Sequence, residues 1–351
     1  MASSPLVSII INNYNYQQFL PEAIDSALNQ TYQSIEVIVV DDGSTDNSKE
    51  VIDSYGHRIT SIFQTNSKQG AALNCGFAAC RGDLVMFLDA DDYLLPEAVA
   101  RIVAVWHPGI AKVHFRLQAV DSVRQPLGYF VPSVGMTLAC GNVVQKLLHT
   151  SSYVSSPMSG NAYCRSALAD IMPIPLEYFT TADDYLMISS PFLGDLAGID
   201  DPLGAYRVHD SNQWALHTVS GSRFRRFVRH DLQNYALLQQ RARDRCLDIP
   251  ADLERRSLGR MWSRLASLRL DPQEHPVSSD RVYQLVFYGL RALWLHSNHN
   301  WKKRTLYSLL WLWVGFMPLP LAKPGITWLY APHLRPKTID RALVKLRQMT
   351  S

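Results

Sequence analysis

RGDLVMFLDADDYLLPE, residues 81–97, is the stretch on which the fold turns. Leu84–Leu88 is an uninterrupted apolar run of strand length, and three carboxylates, Asp89, Asp91 and Asp92, stand at its end. A short continuous apolar run reads as a strand buried on both faces. Like charges gathered beside such a strand are costly unless a cation, a helix N-terminus or water sits among them. Residues i and i+2 of an extended segment point to the same side, so Asp89 and Asp91 can face one ligand. Magnesium and manganese take hard oxygen donors of this kind, usually one or two carboxylates with substrate phosphates completing the set. A DxD in isolation reads as an acidic turn, with Asp92 and Glu97 favouring the N-terminus of the next helix. Its place at the end of an interior strand favours the ion.

Working outward, strand-like and helix-like segments alternate. Leu6–Ile11 and Ile35–Val40 are β-branched runs of strand length, and Ile59–Gln64 is another. Pro21 opens an apolar pattern of helical period through Gln30; Gly70–Cys80 is a second helical stretch, and a third opens at Pro96. Strand and helix in turn predict an α/β fold, a mainly parallel sheet flanked by helices. Ligands of such sheets bind beyond the carboxyl ends of the strands. Asn12, Asp42, Asp89 and Asp91 follow three of these strands and so share one edge. Beyond Pro108, KVHFRLQAVDSVRQPLGYFVP (112–132) predicts an antiparallel hairpin covering the far side of the sheet, and Leu203–Val208 a last short strand.

Some chemistries are set aside. SIIINNYNYQQF (8–19) contains no glycine, so no GxGxxG follows the first strand, and no GxxxxGK[ST] occurs anywhere. The usual backbone cradle for phosphates is missing, which weakens dinucleotide and P-loop readings. The five cysteines, Cys75, Cys80, Cys140, Cys164 and Cys246, are scattered, and reduced thiols in the cytosol are the expectation. MASSPLVSIII lacks a basic n-region and does not read as a signal peptide.

Four motifs stand in order: VSIIINNYNYQQFLPEAIDSALNQTY (7–32), VIVVDDGSTDNS (37–48), GAALNCGFAACRGDLVMFLDADD (70–92) and TTADDYLM (180–187). Together they resemble the family 2 glycosyltransferases of the GT-A fold, over about the first 210 residues. The resemblance implies an enzyme that uses a nucleotide-diphosphate sugar, a UDP-sugar being the expected donor, with inversion at the anomeric carbon. By position, Asn12, Tyr14 and Asp42 would line the nucleoside pocket, Asp42 reaching the base. Asp89 would face the ribose or a metal-bound water, and Asp91 would ligate a divalent manganese or magnesium ion. Asp184 falls where the family keeps its general base, and Asp183 departs from the glutamate frequent at its position. YRVHDSNQW (206–214) resembles a stretch found after the last strand in many members; there His209 is a candidate metal ligand and Arg207 a candidate phosphate partner. Gly160 and Asn161 are placed near the acceptor by position alone. Ser44 and Asp46 are read as turn or cap residues of the helix after the second strand.

The chemistry supports that division of labour. Displacing a nucleoside diphosphate requires charge neutralised on the leaving phosphate and an acceptor hydroxyl deprotonated on the opposite face of the sugar. One carboxylate suffices as base, whereas glycoside hydrolases generally flank the bond with two. A nucleotidyltransferase also places carboxylates at a nucleotide edge, but leaves Asp184 without a use. A non-catalytic sugar-nucleotide-binding scaffold is the alternative outside enzymology.

Charge divides the chain. Through Asp210 there are 11 Lys/Arg against 22 Asp/Glu, a balance of −11; from Ser211 onward 23 against 9 give +14, the two making the net +3. Residues 1–212 are therefore read as the GT-A catalytic domain, and 213–351 as a basic, mostly helical extension. In that extension LYSLLWLWVGFMPLPL (306–321) is apolar, follows basic Lys302–Arg304, and is too short and proline-broken to span a bilayer. Residues 306–330 are read as an interfacial segment, with a buried core helix and a true span as the other readings. The expected setting is cytoplasmic, peripheral on the inner face of an anionic membrane, beside a glycan, lipid-linked or cell-envelope acceptor. No recognised module surrounds the arginines of SRFRRFVRHDLQNYALLQQRARDRC (222–246), so nucleic acid is not an expected partner.

Overall fold

The computed structural model describes residues 4–209, 220–297 and 299–330. The chain forms two compact units, one of Met1–Gln145 with Tyr153–Asn212, the other of Lys146–Ser152 with Gln213–Ser351. The boundary expected at 212/213, and the stretch after His209, lie outside the described residues.

In the first unit the β-branched runs become strands β1 (Val7–Asn13), β2 (Ile35–Asp41), β3 (Thr60–Phe63) and β4 (Leu84–Asp89). Later strands are β5 (Tyr93–Leu94), β6 (Ile110–Val120), β7 (Pro126–Val131), β8 (Asn161–Cys164) and β9 (Asp195–Arg207). Helices between them are α1 (Leu20–Leu28), α2 (Ser48–Ser54), α3 (Gln69–Ala79), α4 (Ala98–Val105), α5 (Val144–Thr150), α6 (Arg165–Leu168) and α7 (Ala182–Ser189). The strand order is β3-β2-β1-β4-β8-β6-β9-β5, with β7 paired to β6. β1 to β4 pair in parallel, β8 runs antiparallel to both β4 and β6, and β9 is parallel to β6.

The α/β class holds, and the sheet is mixed rather than parallel throughout. The predicted 112–132 hairpin exists, but β6 is an interior strand between β8 and β9 instead of a cover on the far side. The last strand is also longer than Leu203–Val208. Its front half carries Asp200, Asp201 and Pro202, and its register with β6 shifts there, which masks the strand pattern.

Side-chain alternation explains the layers. Ile9, Ile11, Val39, Met86 and Leu88 turn to one face and pack with Leu20, Ile24 and Ile102 of α1 and α4. Ile10 and Val40 turn to the other, where α3 comes so close that Gly76 leaves no room for a side chain beside Ile10. Each such fully buried aliphatic residue contributes about 1.5–3 kcal/mol relative to exposure. With both faces covered, ligand access is left to the strand ends.

The second unit is helical: α8 (Gly221–Arg243), α9 (Leu258–Leu270), α10 (Val282–Leu295), α11 (Trp301–Phe316) and α12 (Leu319–Tyr330). Its core gathers Phe224, Trp262, Leu265, Leu293, Trp311 and Ile326. Among the described residues no helix is long and apolar enough to cross a membrane.

Candidate active site

The register of β1 builds the site. Parallel pairing sets Asn12 beside Asp89 of β4, and Asn13 beside Asp41 of β2. Each asparagine uses its amide on that neighbour: Asn12 Nδ2 donates to Asp89 Oδ1 at 3.1 Å, and Asn13 Nδ2 to Asp41 Oδ1 at 2.7 Å. Asp89 Oδ1 also accepts from Gln69 Nε2, at the start of α3, at 2.9 Å.

Asp89, Asp91 and Asp92 converge as the composition of 81–97 implies. One carboxylate oxygen from each lies within 4.8 Å of the others, and among the described residues this is the one such His/Cys/Asp/Glu cluster. The three are not equivalent. Asp92 is buried, accepting from Ser159 Oγ at 2.6 Å and from the Arg207 backbone N–H at 2.9 Å. It braces the site from behind. Asp91 receives His209 Nε2 at 3.0 Å. The imidazole lies between aromatic rings, 4.9 Å from Phe19 and edge-on to Tyr16 at 5.6 Å.

Electrostatics mark the cluster as under-compensated. Burial first, and then the Asp91 charge, push the Asp89 carboxyl up to about 7 despite its amide hydrogen bonds. Asp92 is raised for the same reasons, burial leading. The Tyr16 and Tyr206 hydroxyls are pushed upward by burial and by all three aspartates, which places both phenols around the cluster. A divalent cation would relieve this crowding, and the donor set fits one: Asp89 and Asp91 could offer hard oxygens and His209 one nitrogen, and the buried Asn12 Oδ1 has no hydrogen-bond partner of its own. Asp92, engaged on both oxygens, is left as a second-rank support.

The remaining expected residues divide. Tyr14 is 45% exposed just past β1, open to a flat ligand. Asp42 is buried at the end of β2, and its oxygens accept from Gln64 Nε2 at 2.7 Å and from the backbone N–H groups of Ser67 and Lys68 at 2.8 Å. It thereby holds the loop that leads into α3. Gly43 lets that loop approach: its φ is +74°, and a Cβ there would meet Asn66 N at 2.7 Å. Asp46 accepts from the Ser48 N–H at the start of α2, the cap duty expected of it, while Ser44 Oγ bonds Asp41.

Two expectations are corrected. The Arg207 side chain is 2% exposed, ion-paired to Glu22 and stacked over Phe19, with its Nε donating to the Asp91 carbonyl at 2.8 Å. It is structural and does not reach a phosphate. Asn161 is buried and its amide donates to the carbonyls of Ser156, Pro157 and Met158, while Gly160 packs under Phe115 and Ser156. Both shape a turn rather than face an acceptor.

Asp183 and Asp184 open α7, half-buried, where the helix dipole favours negative charge. The approach is set by α3. Gly70 N–H donates to the Phe179 carbonyl at 2.8 Å, and a Cβ at Gly70 would strike Phe179. Asn74 exchanges two hydrogen bonds with the Ile174 backbone. Asp183 accepts from the Met158 N–H, and burial, Asp184 and Asp89 in that order raise it to about 8. So α7 brings its carboxylates within electrostatic reach of the β4 cluster.

Sequence reading missed what lies beneath. Lys112 on β6 is 1% exposed, with Nζ donating to Tyr153 Oη at 3.0 Å and Ser155 Oγ at 2.8 Å. Burial lowers it to about 7, and the Asp183 charge opposes that. It is a buried amine on the strand behind the α7 carboxylates; nothing in KVHF distinguishes it from a surface lysine. Ser159 and Gln69 were equally silent.

A sheet of this order with an acidic cluster at the carboxyl end of β4 defines a GT-A-type α/β domain. Residues 8–122 match the family described as Glycosyl transferase family 2. An uncharacterized glycosyltransferase of Nostoc sp. (strain PCC 7120) is 38% identical over 213 residues, 59% of this chain and 66% of that one. Another, from Rickettsia prowazekii (strain Madrid E), is 47% identical over 96 residues, 27% of this chain and 30% of that one. The chain thus spans less than two thirds of the length of these relatives. Among solved structures, S. aureus TarS 1-349 in complex with UDP-GlcNAc superposes with TM-score 0.52 at 15% identity, covering 92% of this chain and 91% of that one. The mannosyltransferase PcManGT from Pyrobaculum calidifontis, in complex with GDP-Man and Mn2+, gives 0.50 at 15% identity, covering 93% and 88%. At this identity the likeness establishes the fold.

Proposed function

We propose that the chain is an inverting glycosyltransferase that moves a sugar from a nucleotide-diphosphate donor, a UDP-sugar, to a hydroxyl of a glycan, lipid-linked or cell-envelope acceptor. The observation that carries this reading is the meeting of two acidic groups at one sheet edge: Asp89–Asp91 with His209 at the end of β4, and Asp183–Asp184 at the start of α7. Neither group alone does the chemistry; transfer with inversion requires charge neutralised on one side of the sugar and a base on the other.

Asp89, Asp91 and His209 would hold a divalent manganese or magnesium ion, which would supply neutralising charge for the departing diphosphate. Tyr14 offers a face to the base, with Asn12 and Asp42 beside the nucleoside. Asp184 accepts the proton of the attacking hydroxyl. Asp183 and Lys112 set the field around it, and Asp92 with Ser159 keeps the β4 end in place. The enzyme works on the cytoplasmic side, peripheral to the membrane.

A panel of nucleotide sugars, with and without manganese, tests the reading through slow donor hydrolysis. Release of nucleoside diphosphate supports it. Release of pyrophosphate from a nucleotide triphosphate and a sugar phosphate indicates a nucleotidyltransferase, and donor binding without turnover on any acceptor indicates a scaffold.

A further inference from the structure

Among the described residues, the second unit displays an apolar surface that its helices leave exposed. α10, α11 and α12 bury their inner faces through Val286, Leu293, Trp311, Val314 and Ile326. Gly289 and Gly315 let α10 and α11 approach closely, since a Cβ on either would lie 2.3 Å from Trp311 or Val286. The core is therefore complete without the outer side. Yet of 22 large apolar side chains exposed among the described residues, 13 lie between Tyr283 and Leu321. Leu309 is 61% exposed, Phe316 56%, Leu321 52% and Trp301 68%. A helix apolar all round is ordinarily buried, and a contiguous exposed patch of this kind marks a contact surface.

Charge identifies what it contacts. From Arg281 to Tyr330 there is no Asp or Glu, while Arg281, Arg291, Lys302, Lys303, Arg304 and Lys323 are all basic. Lys302 stands one turn before Leu306 on the same face of α11, at the rim of the apolar side chains. Arg291 is ion-paired to Asp252 at 3.4 Å, but two copies meeting through this face would still bring Lys302 and Lys303 of each together, with no carboxylate from the 281–330 stretch to oppose them. Anionic headgroups supply it. Between α11 and α12 an apolar cleft of about 420 Å³, lined by Leu306, Leu310, Trp313, Leu321 and Trp328, is open to a hydrocarbon chain. The exposed Tyr283, Trp294 and Trp301 suit a water–lipid boundary.

We infer that the α10–α12 face docks on an anionic phospholipid bilayer, with α11 lying in the interface and the α11–α12 cleft receiving one lipid chain. Basic side chains and apolar insertion act together, as interfacial helices require. The attachment is peripheral, consistent with the absence of a spanning helix among the described residues.

Co-sedimentation of the full chain tests this, with vesicles of phosphatidylglycerol and phosphatidylcholine against vesicles of phosphatidylcholine alone. The full chain sediments with the anionic vesicles, is released by high salt, and stays in solution with the neutral ones. Leu309→Glu with Phe316→Glu, both at exposed positions, weakens binding at least about tenfold, and Lys302→Glu with Lys303→Glu does the same. Circular dichroism and donor hydrolysis stay unchanged in both pairs, so vesicle binding and transferase activity are read separately. Equal binding by wild type and variants overturns the inference. So does a wild type that ignores anionic vesicles, whether it runs as a dimer that Leu309→Glu splits or as a monomer.

Discussion

His209 Nε2 lies 3.0 Å from Asp91 Oδ2, although 118 residues separate them in sequence. β9 delivers the histidine to the end of β4, and the buried Arg207 two residues earlier fixes the strand by donating its backbone N–H to Asp92. The contact therefore depends on a rigid framework rather than on a surface loop. Its proposed part is that of a metal ligand beside Asp91. His209→Ala is expected to lower manganese affinity by about 10-fold or more, measured by titration calorimetry, while leaving the melting temperature of the metal-free chain nearly unchanged.

Asp184 at the head of α7 is proposed as the base. Asp184→Asn should lose about 10²–10⁴-fold in turnover, the usual contribution of a positioned base. Donor affinity should hold within a few-fold, so the loss falls on kcat and not on donor binding. Comparable loss in both would return Asp184 to a structural part.

Asp183 reports on pH. Its folded pKa is raised from 3.8 to about 8, so across that window the native chain keeps a proton that the unfolded chain has released, and stability falls as pH rises. The slope is at most about 1.4 kcal/mol per pH unit. Asp183→Asn removes it, so the melting-temperature difference between variant and wild type grows with pH over that range. Lys112 acts in the opposite sense above about pH 7, where the native chain has lost a proton that the unfolded chain still holds. The comparison is therefore made below that pH.

Arg207 separates a structural from a substrate role. Arg207→Met leaves Glu22 with Arg124 alone as its ion-pair partner and strips donors from the Asp91 and Ser122 carbonyls. A loss of roughly 3 kcal/mol is expected, towards the low end for broken buried pairs because Glu22 is a quarter exposed. Chemical denaturation measures it. The KM for donor in the residual folded protein should stay near wild type.

How much of this was legible follows from what each signal encodes. β1, β2 and β4 were visible because strands buried on both faces are written as unbroken apolar runs, and the carboxylates at their ends inherit that visibility. β8 is four residues inside a turn-rich stretch, and β9 is interrupted at its middle by Asp200, Asp201 and Pro202, so neither carries a period. The hairpin was visible as a hairpin, but which sheet position β6 takes is a long-range property of pairing with Asn161–Cys164 and Asp195–Arg207. Depth was the other blind spot. Arg207 reads as an available cation and Lys112 draws no reading, yet both are buried with their polar atoms engaged. A basic residue on an interior strand, with tyrosines and serines elsewhere to receive it, leaves no local mark.

The central claim is that the end of β4 takes up a divalent cation together with a nucleoside diphosphate. Calorimetric titration of manganese in the presence of UDP tests it most directly, on wild type and on Asp91→Asn. The account predicts saturable, mutually enhancing uptake by wild type and its loss in the variant. Equal uptake by both proteins, or none by wild type, would contradict it.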